Sequence, residues 1–276
     1  MIDLLHQYIE KEKSYEGKVN KLREFLQLLI LKIIQDKGYF SHISFTGGTA
    51  LRILYDLRRF SEDLDFSVID KKKYVFKEVI LSIIKELELY GISVEKKMKE
   101  LKTVNNSMLK FQHLLGTLGL SMQSNQKLSI KIDIDTNPPA GWKLENTLVN
   151  KQYLVNIRHF DLSSLFATKI HACTFRTYVK GRDYYDLLWY LGKKIKPNYI
   201  VLNNAIKQTQ GIKYELNDAT IGNFLIKKIE SINFKTLQND VERFLEDKND
   251  LMLLQPNVFI KAIKDFTLLF CSRKNS

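Results

Sequence analysis

Cysteine is scarce in this sequence: Cys173 and Cys271 are isolated, and neither belongs to a CxxC pair. A disulfide framework or a thiolate zinc site is therefore unsupported, and isolated thiols fit a reducing, cytoplasmic setting. The five histidines, His6, His42, His113, His159 and His171, show no HxxxH or other ligand spacing, which argues against a zinc hydrolase. There is no GxSxG for acyl transfer, no Walker A loop and no GxGxxG. Long apolar runs are missing too. The richest, around residues 25–34, is broken by Gln27 and Lys32 and is too short to cross a membrane. The first residues, MIDLLHQYIEKEKS, carry acids and lack the apolar core and small-residue cleavage site of a secretory signal. Only four prolines and 45% hydrophobic residues describe a globular chain, and its 276 residues suffice for one large domain or two modest ones.

Positive charge is abundant. Lys+Arg exceed Asp+Glu by 43 − 31 = +12, which serves solubility at least and points to an anionic partner. Along the chain, residues 19–37 have a helical pattern that stops before Gly38, and residues 43–46 form a short β-prone run. Gly47-Gly48 opens a second helical pattern through Leu57; residues 63–68 alternate as a strand; residues 74–90 form an amphipathic helix closed by Gly91. Strands are expected at 92–99, 107–113 and 153–157. The clearest alternation is LSIKIDID at 128–135, with Leu128, Ile130, Ile132 and Ile134 on one side and Ser129, Lys131, Asp133 and Asp135 on the other. From Asp161 the pattern is helical, with Asp161 or Ser163 placed to cap the first helix and further helices near 199–208, 219–231, 237–246 and 256–270. With no internal repeat and no low-complexity linker, the expected architecture is α+β: an α/β domain at 1–160 and a helical domain at 161–276.

The stretch FTGGTALRILYDLRRFSEDLDF, 45–66, joins a glycine turn to a D-x-D. Asp63 and Asp65, two apart on a strand, share a face, where their charges repel unless a cation intervenes. Hard carboxylate oxygens suit Mg²⁺ or Mn²⁺ together with substrate phosphates; the plain alternative is a solvated strand edge. Asp133 and Asp135 share a face of another strand, and either can supply a third carboxylate, the arrangement for in-line phosphoryl or nucleotidyl transfer. Gly47 and Gly48, between a strand and a helix, allow backbone N–H groups to approach phosphate. Arg52, Arg58 and Arg59 either contact phosphates or pair with local acids such as Asp56 and Glu62. Further on, Lys169, Arg176, Lys180 and Arg182 concentrate positive charge, and Lys169 and Arg176, seven apart, share a helical face. That block serves either as a phosphate clamp or as a basic helix in which Asp183 is an N-cap and Asp186 a salt-bridge partner. The aromatic stripe Tyr184, Tyr185, Trp189 and Tyr190 reads mainly as core.

These motifs resemble the AbiEii/AbiGii nucleotidyltransferase-like toxin family of type IV toxin–antitoxin systems. The resemblance rests on GGTALR, RFSEDLDF, IKIDIDTN and ATKIHACTFRTYVKGRDYYDLLWYL, and covers about residues 45–191. It implies a polymerase-β-type minimal nucleotidyltransferase core followed by a helical C-terminal domain. It further implies an NTP substrate, Mg²⁺ (or Mn²⁺), a cognate antitoxin, and an RNA acceptor, the 3′ end of tRNA in some relatives. Residue by residue, Gly47, Gly48 and Thr49 would form the phosphate turn, and Ser61 would sit beside the metal site; Arg59, by its place four residues before Asp63 rather than by the resemblance, is the best placed of the three arginines. Asp63, Asp65 and Asp133 would be the metal-binding and catalytic carboxylates. Lys169 would meet the triphosphate, and Asp183 and Asp186 would belong to the second catalytic motif. The chain departs from the family at Thr168, where an acid is frequent, and at His171, where an aliphatic residue or arginine is common; the first bears on how Lys169 is oriented. A transferase acting on a protein or small-molecule hydroxyl, and a non-catalytic nucleotide-binding toxin, are the competing functions.

Overall fold

A computed structural model describes residues 1–123, 126–213 and 215–272. The chain folds as two compact units. The first holds residues 1–56, 60–138 and 145–159; the second holds 57–59, 139–144 and 160–276.

The first unit is a mixed sheet with helices. Its helices are α1 (Ile2–Glu10), α2 (Tyr15–Asp36), α3 (Gly47–Tyr55), α4 (Phe76–Leu89) and the single turn α5 (Leu114–Thr117). Its strands are β1 (Ile43–Thr46), β2 (Leu64–Val68), β3 (Val94–Lys99), β4 (Val104–Phe111), β5 (Leu128–Asp135), β6 (Leu144–Asn150) and β7 (Leu154–Phe160), in the order β3-β4-β5-β2-β1-β7-β6. β2–β5 and β1–β7 run parallel; β1–β2, β3–β4 and β4–β5 run antiparallel. α2 starts at Ser14, whose hydroxyl accepts from Gly17 N at 3.0 Å, earlier than the apolar pattern alone suggests. Its middle is buried nearly all round, from Phe25 to Leu31. Gln27, polar in that run, is tolerated because its amide donates to Ser61 O at 3.1 Å. β5 alternates as expected, its apolar residues buried and its polar ones half-exposed. β3 ends the sheet with Lys96 and Lys97 exposed, charges that discourage edge pairing.

The second unit is helical: α6 (Leu162–Phe175), α7 (Gly181–Gly192), α8 (Tyr199–Gln210), α9 (Ile221–Glu230), α10 (Phe234–Val241) and α11 (Pro256–Ser272). Asp161, not Ser163, caps α6 by accepting from Ser164 N at 3.1 Å. The ring of Phe166 stacks on Tyr190, centroids 4.3 Å apart, in a core that includes Phe259, Ile263 and Phe266. Tyr184 is also buried, so the aromatic stripe is largely packing. α7 packs so closely on α10 that a Cβ at Gly181 would overlap Leu237 O. The N-cap expected of Asp183 is supplied from α10 instead: Asp240 Oδ2 accepts from Gly181 N at 2.7 Å, while the Asp183 side chain turns to cations.

Candidate active site

In the first unit, strand pairing brings the distant motifs together. Thr46 at the end of β1 stands opposite Asp65, and Asp65 stands in register with Asp133 across the parallel β2–β5 pair. The D-x-D and one aspartate of IKIDID are therefore neighbours on adjacent strands, about 4.8 Å apart by ordinary sheet spacing. Asp63 lies one residue before β2, and its carbonyl accepts the hydroxyl of Thr49. Thr49 is buried and ties α3 to the approach of β2, while Ser61 is fixed through its carbonyl by Gln27.

Gly47 has two physical reasons to be glycine. Its φ is +78°, and a Cβ there would overlap the carboxylate of Asp65. Gly47, Gly48 and Thr49 form the first turn of α3, and the side chain of the N-cap residue Thr46 does not cap it. Backbone N–H groups at such an end attract anions.

Carboxylate oxygens are the donor type that a hard divalent cation takes. Asp133 Oδ1 is buried and has no hydrogen-bond partner among the described residues, an arrangement that costs free energy unless a cation or donor meets it. Its Oδ2 accepts from Lys131 Nζ at 2.6 Å. Burial pulls the Lys131 pKa down, but the hydrogen bond to Asp133 and the charges of Asp133, Asp63 and Asp65 outweigh it, and the net shift is upward. Among the described residues, no three His, Cys, Asp or Glu side chains already converge as a metal cage; an ammonium stands beside Asp133 instead. Asp135 differs from Asp133. Its Oδ1 accepts from Asn137 N at 2.8 Å and so closes the turn after β5, and burial raises its pKa despite that bond.

Two arginines of the first motif, Arg52 and Arg59, find partners far away in sequence. Arg52 Nε donates to Glu24 Oε2 at 2.6 Å, and its guanidinium lies 4.4 Å from the Phe60 ring centre. Arg59 belongs to the second unit. It is 2% exposed and forks onto Asp186, with Nε and Nη2 each 2.6 Å from a carboxylate oxygen.

Lys169 lies in the same buried cluster. Its ammonium is 2.8 Å from Asp183 Oδ1 and 2.8 Å from Asp186 Oδ2, and Arg176, just past the end of α6, donates to Asp183 Oδ2 at 2.7 Å. Burial lowers the Lys169 pKa, but the two carboxylates more than reverse this. Burial likewise raises that of Asp183, and Lys169 and Arg176 bring it below the usual carboxylate range. So the structure joins Arg59, Lys169, Arg176, Asp183 and Asp186 in one ion network rather than an open cationic face. A phosphate contact by Arg59 or Lys169 would require a carboxylate partner to be given up. Thr168 bonds back to Leu165 O at 2.8 Å, and Lys169 is oriented by the carboxylates of α7.

Lys131, Glu24 and Asp240 carry roles that the motifs did not assign. Lys131 was visible on the polar face of β5, two residues from Asp133; nothing local marks the other two.

The profile of the nucleotidyl transferase AbiEii toxin family, type IV toxin–antitoxin system, matches residues 29–265. The crystal structure of JHP933 from Helicobacter pylori is similar with a TM-score of 0.58 at 18% identity, covering 92% of this chain and 94% of that one. A putative nucleotidyltransferase from H. pylori is similar with a TM-score of 0.54, also at 18% identity, covering 91% and 94%. At such identity the likeness is one of fold. No curated protein matches the sequence. The family match spans most of the chain and both motif blocks: the chain belongs to the AbiEii nucleotidyltransferase toxin family of type IV toxin–antitoxin systems.

Proposed function

We propose that this protein transfers a nucleotidyl group from an NTP to an RNA hydroxyl, the 3′ end of tRNA, in the cytoplasm, and that a cognate antitoxin opposes it. The observation that carries the reading is the register of Asp65 with Asp133, with Gly47 pressed against the Asp65 carboxylate. Asp63, Asp65 and Asp133 would hold Mg²⁺ or Mn²⁺. When bound, the cation supplies charge neutralisation at the α-phosphate and the leaving pyrophosphate. The first-turn N–H groups of α3, at Gly47, Gly48 and Thr49, bind triphosphate oxygens. Asp133 accepts the proton of the attacking hydroxyl. The acceptor oxygen forms a bond to the α-phosphorus, the α–β bridging bond breaks, and pyrophosphate leaves. The surplus of basic residues favours RNA over a small acceptor, which needs no extended cationic surface.

The test is direct. Pure protein is incubated with tRNA, Mg²⁺ and each α-labelled NTP in turn, beside the Asp65→Ala variant. The expected result is label at the tRNA 3′ end with wild type and none with the variant. Label on a protein or an aminoglycoside, with none on RNA, would leave the transferase and remove the RNA acceptor. No label on any acceptor would remove the enzymatic reading.

A further inference from the structure

The polar face shared by β2 and β5 holds one residue of the wrong charge. Leu64 pairs with Ile132 and Asp65 with Asp133. Asp63 lies one residue before β2, near enough for its charge to act on Lys131. Asp65 and Asp133 are neighbours on adjacent strands, and Lys131 is the ammonium beside them. The ammonium is bound to Asp133 Oδ2 at 2.6 Å, and the charges of Asp63 and Asp65 act on it as well. The Lys131 side chain is 38% exposed, so its stem has room to move.

Resting on the nucleotidyl-transfer reading above, we infer that Lys131 is a built-in counter-cation that competes with the divalent cation for Asp133. Without metal, carboxylates at strand spacing such as Asp65 and Asp133 repel each other, and a nearby ammonium offsets that repulsion. A lysine suits the task. It is a point charge on a flexible four-carbon stem and can swing away, whereas an arginine fork would hold a carboxylate bidentately. Asp133 Oδ1, buried without a partner among the described residues, is the oxygen left for the incoming cation. Loading the site then requires Lys131 to release or share Oδ2. Removing the charge should therefore tighten metal binding while destabilising the metal-free protein, a combination that mere structural damage does not produce.

Mn²⁺ binding to the full-length protein without nucleotide tests this, by electron paramagnetic resonance of the free ion and by melting temperature. Lys131→Met should bind Mn²⁺ about tenfold more tightly than wild type, which corresponds to about 1.4 kcal/mol. Its metal-free melting temperature should fall and recover with Mn²⁺ by more than wild type gains. Lys131→Gln serves if the methionine variant folds poorly, and Lys131→Arg should bind no better than wild type. Asp133→Asn should lose binding. Equal or weaker binding by both neutral variants, with Asp133→Asn still defective, would overturn the competition and leave the metal site standing. Binding by Asp133→Asn equal to wild type, or no Mn²⁺ binding by any form, would overturn the metal site and the competition with it.

Discussion

At position 47 a side chain has nowhere to go. The backbone sits at φ +78°, and the space a Cβ would take is filled by the Asp65 carboxylate. Gly47→Ala should cost about 1–3 kcal/mol from the backbone alone and push Asp65 out of register with Asp133. The expected outcome is loss of nearly all transfer, with a lower urea midpoint; an alanine variant with normal turnover would show that the Gly47–Asp65 approach is incidental. Asp133 and Asp135 lie two residues apart on one face, and periodicity alone does not separate them. Their contacts do. Asp135 closes the turn at Asn137, whereas Asp133 lies beside Asp65 with a buried oxygen that has no hydrogen-bond partner among the described residues. Asp133→Asn should abolish transfer in a folded protein. Asp135→Asn should retain most of it at saturating Mg²⁺, and the reverse order in a side-by-side assay would transfer the third carboxylate's role to Asp135.

At the scale of elements, the network that joins Arg59, α6 and α7 is the feature most exposed to mutation. Arg59 and Asp186 are 2% and 0% exposed at their side chains, so removing one partner strands a charge in a low-dielectric site. Asp186→Asn should lower unfolding free energy by about 3–5 kcal/mol, measurable as a drop in the urea midpoint. A change below about 1 kcal/mol would mean that the network is solvated. The pH dependence follows from Asp183. Its folded pKa lies below the unfolded value of about 3.9. Its contribution is therefore complete above that value and is lost as pH falls through the folded one. Stability should decline below about pH 4, and less steeply in Asp183→Asn. This network also shows what was legible in the sequence. β1, β5, α4 and the helical second half declare themselves through period and flanking glycines, because burial on one face imposes the pattern. The aspartates declare themselves through spacing. β6 did not: its LENTLVN is mostly exposed and has no alternation to read. α1 was likewise missed, its nine residues marked chiefly by buried Leu5 and Ile9. Nor did the partners of Arg52 and Arg59, which lie 28 and 127 residues away, because pairing at that range is decided by tertiary packing.

For the molecule as a whole, charge is the property that reaches beyond any one site. The net charge of +12 arises from 43 basic and 31 acidic residues. Part of the basic complement is internally spent: Arg52, Arg59, Lys169 and Arg176 are held by carboxylates, while Lys96 and Lys97 on β3 are exposed. Exposed cations that meet RNA phosphates release condensed counterions, so affinity should fall linearly in log–log form as salt rises. A folded acceptor presents 2′-hydroxyls and shape as well, and these contacts are far less salt-sensitive. tRNA should therefore bind more tightly than an unstructured RNA of equal length, and the gap should persist as both weaken between about 50 and 200 mM salt. Fluorescence anisotropy at four salt concentrations checks this on the Asp65→Ala protein, whose expected loss of transfer separates binding from turnover. Neutralising Lys96 and Lys97 together should reduce the magnitude of the salt slope by up to about two if both touch phosphate. An unchanged slope would take β3 out of the RNA surface. Equal affinity for tRNA and unstructured RNA at every salt concentration would reduce the interaction to charge alone, and the acceptor would then have to be sought among substrates with no fold to recognise.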